Sequence, residues 1–109
     1  MNIFASARLK PENIKFPKAM SKVAWTVVDT YNEFCKLMET NPVSNVVLDA
    51  FANEGISGIK CAYALTEITC DKHITLPTLL IIGPDTSMRK TIEDHIANSK
   101  KWIDINRGK

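Results

Sequence analysis

Hydrophobic residues follow two alternating rhythms along this chain. Short apolar runs fall at 2–6, 23–28, 43–48 and 79–82, each bounded by polar or turn-forming residues. Runs of that length, rich in β-branched residues, predict strands buried on both faces. Between them the spacing lengthens to three or four. Thr30 and Glu33 have the spacing of a capping box, and the helix they open places Phe34, Leu37 and Met38 on one face before Pro42 stops it. From Gly58 a second helical pattern runs through Ile59, Ala62, Leu65, Thr66 and Thr69, with Cys61 and Ile68 beside it. Gly83, Pro84 and Asp85 break the next strand, and Asp85 or Thr86 caps a helix carrying Met88, Ile92 and Ile96.

Two segments fit neither rhythm cleanly. Pro11 and Pro17 interrupt residues 7–21, which rules out a long helix and leaves at most one turn after Pro11. Trp102, Ile103 and Ile105 form an apolar cluster that reads as a last short strand. The predicted order is β-link-β-α-β-α-β-α-β. Such alternation predicts an α/β three-layer sandwich of five mostly parallel strands with helices on both faces. The expected core holds Val27, Val46, Val47, Leu48, Leu79, Leu80, Ile81, Phe34, Leu65 and Ile92.

Composition narrows the class without naming a function. At 109 residues, with no repeat or linker, the chain reads as one domain, 1–109. A net charge of +2 is too small to imply a polyanionic partner by itself. Cys35, Cys61 and Cys70 are an odd set without Cys-x-x-Cys spacing, which predicts a reducing, cytoplasmic setting and no zinc knuckle. No run approaches the roughly 20 apolar residues of a membrane span, so no membrane role is expected.

The richest stretch is 46–58. Val46, Val47 and Leu48 lead into the carboxylate of Asp49, and a loop follows that ends on Gly55, Ile56, Ser57 and Gly58. In an open parallel sheet, chemistry gathers at the carboxyl ends of the strands. This pattern, followed by Leu76, Pro77, Thr78 and the run 79–82, resembles the third strand, third helix and fourth strand of response-regulator receiver domains. Residues 25–34 resemble that family's second strand entering its second helix, and the match runs from about Trp25 to Ile105. The resemblance implies a flavodoxin-like fold and makes Asp49 the candidate phosphoacceptor.

Phosphoryl transfer in that family uses Mg²⁺ held by further acids, and Mg²⁺ favours octahedral oxygen coordination. Where the resemblance places those acids stand Ala5, Ser6 and Ala7. Ile82 and Gly83 occupy the place of an expected hydroxyl residue, and Asn106 and Arg107 that of an expected lysine. The resemblance also leaves no residues for the last helix after a fifth strand. The implied reading is a degenerate, shortened receiver: not an enzyme, not phosphorylated, without cofactor or metal, and acting through protein–protein contacts or as a homodimer. Trp102, Ile103 and Ile105 are the expected contact residues, because a missing last helix would leave them uncovered.

Other chemistry is weaker in the sequence. Asp29, Asp49 and Asp85 all fall at predicted strand ends and form a candidate divalent-ion set, although two of them read as helix caps. His73 and His95 have no metal-ligand spacing, and the 55–58 loop is too short for a P-loop and lacks its lysine. Arg8, Lys10, Lys15, Lys18 and Lys22, with Lys100, Lys101, Arg107 and Lys109, gather basic charge at the two ends, interleaved with Phe16 and Trp102. Those residues make nucleic acid or the transcription apparatus an alternative partner. An active phosphoacceptor is the second alternative.

Overall fold

The computed structural model describes residues 1–52 and 55–107. Its strands are β1 (Asn2–Ala5), β2 (Thr26–Val28), β3 (Asn45–Asp49) and β4 (Thr78–Ile82). Its helices are α1 (Tyr31–Thr40), α2 (Gly58–Lys72) and α3 (Thr86–Arg107). Among the described residues the strands form one four-stranded sheet in the order β2-β1-β3-β4, with every neighbouring pair parallel. The α/β class and the parallel sheet follow the hydrophobic pattern, but among the described residues the expected fifth strand does not form. Trp102, Ile103 and Ile105 lie in α3.

The reason is visible in the spacing. No Gly or Pro falls between Thr86 and Arg107, and Met88, Ile92, Ile96, Ser99 and Ile103 continue one stripe at helical period. The helical stripe therefore outweighs the local β-propensity of a tryptophan and two isoleucines.

Strand order and chirality decide where the helices go. A β–crossover–β connection in a parallel sheet is right-handed, so crossovers that step in opposite directions along the sheet lie on opposite faces. The link from β1 to β2 steps one way; α1 and α2, which carry the chain to β3 and β4, step the other. Helices α1 and α2 accordingly share one face, and α3 packs into the same core. That face presents Ile3, Ala5, Val28, Val46 and Leu48, against Phe34 and Met38 of α1, Cys61, Leu65 and Ile68 of α2, and Ile92 of α3. The expectation of helices on both faces needs correction.

The opposite face is covered by the β1–β2 link, which makes only two 3₁₀ turns, Pro11–Asn13 and Lys18–Met20. Pro11 opens the first turn and Pro17 precedes the second, and each proline forfeits the backbone donor a longer helix would need. Covering is done by aromatic rings instead. Phe16 stacks on Trp25 at 5.1 Å, and both meet Phe4 of β1 edge-on at 6.4 and 6.2 Å. Phe4 and Val47 beneath them are fully buried, and Met20 of the link is nearly so.

Of the expected core, Val46, Val47, Leu48, Phe34, Leu65 and Ile92 are buried. Val27 is 41% exposed, and Leu79, Leu80 and Ile81 are only partly buried. Both departures have one cause: β2 and β4 are the two edges of the sheet. An edge strand lacks a neighbour on one side, whatever its hydrophobicity.

Helix α2 ends on His73, a non-glycine residue in the left-handed region (φ 52°). Its N–H and that of Ile74 bond back to Cys70 and Thr69, closing the last turn. His73 thus terminates the helix.

Core and edge should respond differently to substitution. Phe34→Ala should cost about 3–5 kcal/mol, the range for a large buried aromatic. Leu80→Lys should cost less than about 1.5 kcal/mol, since a long stem at a half-exposed edge keeps its charge in water. Urea unfolding of both variants checks this, and equal losses would contradict the edge assignment.

Candidate functional site

The carboxyl ends of β1 and β3 lie side by side, and the site is built there. In the parallel register Ala5 pairs with Leu48, so the residues just beyond, Ser6 and Asp49, emerge together. Asp49 is 4% exposed. An ionised carboxylate that deep needs compensation, and it has two partners. The Ser6 hydroxyl donates to Oδ2 at 2.7 Å, and the Arg8 guanidinium donates to Oδ1 at 2.8 Å.

Each partner is itself held. Ser6 Oγ accepts from the backbone N–H groups of Leu9 and Arg8 at 3.0 and 3.3 Å, which turns the chain sharply after β1. The Ser6 N–H also donates to the Val28 carbonyl at 3.1 Å, tying the turn to β2. Arg8 spreads its guanidinium over the Phe51 ring, 5.1 Å from the centroid. Phe51 therefore supports the cation from one side while Asp49 takes its charge.

Two glycines shape the surroundings. Gly83, at φ 114°, follows β4, and a Cβ there would sit 2.9 Å from Asp49 Oδ1. Gly58 opens α2, and a Cβ on it would overlap the Asp49 carbonyl. The backbone thus closes tightly around the carboxylate. The loop after β3 is tied down as well: Gly58 N–H donates to Phe51, and Tyr31 N–H at the start of α1 donates to Gly55.

The structure separates the other acids from this point. Asp85 Oδ1 accepts from Met88 N–H at 2.9 Å and caps α3, while Asp29 is exposed beside Thr30, which caps α1 through Glu33 N–H. Among the described residues no three His, Cys, Asp or Glu side chains come together in a way that would hold a metal ion. Ser57 caps α2 by accepting from Lys60 N–H. The sequence reading, fixed on Gly58 as the opener, missed that cap.

An open cleft of about 620 Å³ lies between the first turns of α1 and α2, lined by Thr30, Tyr31, Asn32, Ile56, Ser57 and Lys60. Asp49 does not line it. The buried acid and this cleft are separate features.

His95 and Cys61 fall into structural roles. Thr66 Oγ lies 2.9 Å from His95 Nε2 and within hydrogen-bond distance of the Ala62 and Tyr63 carbonyls, and Tyr63 meets the imidazole edge-on at 4.5 Å. Burial lowers the His95 pKa from its ordinary value. Burial pushes the Cys61 thiol up to about 12, which removes it as a nucleophile near neutral pH.

Of the expected contact residues, Trp102 and Ile105 are 60% and 59% exposed, while Ile103 is buried at 5%. Helical geometry splits the cluster: Ile103 faces the core, and Trp102 stands over a shallow groove with Thr66, Glu67, Cys70 and Ser99. The basic residues divide too. Arg8 belongs to the Asp49 pair, Lys10, Lys15, Lys18 and Lys22 are exposed along the β1–β2 link, and Lys100 and Lys101 are exposed on α3. Phe16 is committed to the Phe4 and Trp25 cluster and does not stand free for base stacking. The side chains of Asn106 and Arg107, and the whole of Lys109, lie outside what the structure describes. Among the described residues no helix is long and apolar enough to cross a membrane.

No family model, curated protein or solved structure matches this chain.

Removing one side of a buried ion pair leaves the other uncompensated. Arg8→Met should destabilise by about 2–3 kcal/mol, below the usual range for fully buried pairs because the Arg8 side chain keeps 30% of its exposure. Combining it with Asp49→Asn should recover at least about 1 kcal/mol of that loss. A double-mutant cycle by chemical denaturation measures the coupling, and additive losses would show that the pair is not interacting.

Proposed function

We propose that this chain is a receiver-like regulatory module that has lost phosphoryl transfer and acts through protein–protein contact. One observation carries the reading: both carboxylate oxygens of Asp49 are engaged, one by Ser6 and one by Arg8. A nucleophilic aspartate needs a free oxygen and a cation that binds the incoming phosphoryl group. Here the cation is covalently part of the chain and its charge is spent on the acid itself.

The resemblance to receivers is supported by topology. The order β2-β1-β3-β4 repeats the first four positions of the doubly wound flavodoxin-like order 2-1-3-4-5. Asp49 ends β3, the strand on which that family carries its phosphoacceptor. The short β1–β2 link without an α-helix, and the helix at 102–105, are where the chain departs from the pattern.

Association is supported by what α3 leaves exposed. Tyr63, Trp102 and Ile105 present large apolar side chains on the α2 and α3 surface, and an exposed tryptophan beside a shallow groove is the residue type that anchors interfaces.

Acetyl phosphate or beryllofluoride with Mg²⁺ should leave the mass and the amide spectrum of the protein unchanged. A stable adduct that disappears in Asp49→Asn would overturn the reading.

Trp102→Ala should keep the melting midpoint within a few degrees, as expected for an exposed side chain, while weakening association about tenfold or more. Light scattering against concentration, with a thermal melt as control, separates the two effects. A variant that unfolds would place Trp102 in the core.

A further inference from the structure

Charge is divided unevenly along the chain and between the faces of the sheet. Between Ser6 and Trp25 stand Arg8 and four lysines, Lys10, Lys15, Lys18 and Lys22, against the single acid Glu12. Beyond Trp25 the balance reverses, with eleven carboxylates against nine basic side chains. The first segment is the β1–β2 link, which covers the sheet face opposite α1 and α2. A net charge of only +2 therefore hides one cationic face.

The link lysines are uncompensated. All four are exposed. Among the described residues the ion pairs are Arg8 with Asp49 and Lys90 with Asp94, so none of the four has a carboxylate partner. The backbone that carries them is nonetheless held in place. Asn13 Oδ1 accepts from Lys10 N–H at 2.8 Å, and the Lys18 carbonyl accepts from Ser21 Oγ at 2.9 Å. Phe16, between Lys15 and Lys18, is stacked on Trp25. The charges project from a fixed scaffold, so less ordering is lost when they meet a partner.

The rest of this face decides what that partner is. The large apolar side chains exposed among the described residues are Met1, Val27, Phe51, Tyr63, Trp102 and Ile105, and none belongs to the link. Met20 of the link is buried. A membrane-surface segment needs an apolar face to sink among lipids, and a protein interface is anchored by aromatic or apolar residues in desolvated pockets. The link offers neither. Its one guanidinium, Arg8, is taken by Asp49, which removes the usual bidentate reader of base edges. What remains is a set of point charges suited to phosphate.

We propose that the β1–β2 link face binds nucleic acid through the phosphate backbone, without reading its sequence. This surface lies apart from Tyr63, Trp102 and Ile105 and does not depend on the association reading above. Lys10, Lys15, Lys18 and Lys22 each release about one condensed counterion from a duplex, which makes binding weak at physiological salt and steep in its salt dependence.

A labelled duplex of about 20 base pairs, at about 3.4 Å per pair, is longer than the 42 Å long axis of the protein and serves as the probe. Fluorescence anisotropy should show binding at low salt, with log K falling against log salt at a slope of about −3 to −4. A scrambled duplex should bind equally. Lys18→Gln should reduce the steepness by about 1. Changing all four lysines to Gln should weaken binding about tenfold or more at low salt, with the melting midpoint little changed because all four are exposed. The single-variant slope decides the matter even where the fourfold variant loses stability. Trp102→Ala and Lys100→Gln should bind like the unmodified chain.

No binding at about 20 mM salt, or binding that survives loss of all four lysines, would overturn the proposal. So would a marked preference for one duplex sequence, which backbone contacts alone do not give. Tighter binding to polyglutamate or to vesicles of anionic phospholipid than to the duplex would overturn nucleic acid as the partner.

Discussion

The buried carboxylate of Asp49 is the constraint around which the end of the sheet is arranged. An acid at 4% exposure has a large desolvation cost, and each feature nearby reduces it. Ser6 supplies one hydrogen bond, Arg8 supplies charge, and Phe51 supports the guanidinium. The absence of side chains at Gly58 and Gly83 lets the backbone close around the acid. The pair also links β1 to β3 beyond the last ladder bond, so the chemistry of the site and the register of the central strands reinforce one another.

Prolines and handedness account for the asymmetry of the layers. Right-handed crossovers send the β1–β2 link to one face and α1 and α2 to the other. A helix on the link side would give a symmetric sandwich, but Pro11 and Pro17 prevent it. The aromatic stack of Phe16 on Trp25 over Phe4 takes the place of a helical ridge. It covers the middle of that face, where Phe4 and Val47 lie, and leaves Leu80 at the β4 edge half-exposed.

Much of this was legible in the residues, and the misses share a cause. Periodicity located four strands and three helices, the Thr30 and Asp85 caps, and Asp49 at a strand end, because each is a local property. Arg8 was grouped with a basic end instead of with Asp49, because only the adjacency of β1 and β3 brings residues 41 apart in sequence together. A parallel sheet with β1 at its centre was sufficient to suggest it: a serine and an arginine just past one strand face an acid just past its neighbour. Residues 102–105 were misread for the opposite reason. Their composition favours a strand, and only the unbroken stripe back to Met88 reveals the helix.

On the proposed reading, a guanidinium stands where a receiver would hold an exchangeable metal. A bound cation comes and goes with its concentration, and a phosphoryl group alters local charge by nearly two units. Arg8 is tethered by the turn that Ser6 organises. Both carboxylate oxygens of Asp49 are already engaged, one by Ser6 and one by Arg8. On the proposed reading, regulation by this domain has to arise at surfaces, through contacts that form or break with concentration or partner. The exposed Tyr63, Trp102 and Ile105 on α2 and α3 are where the fold offers such contacts.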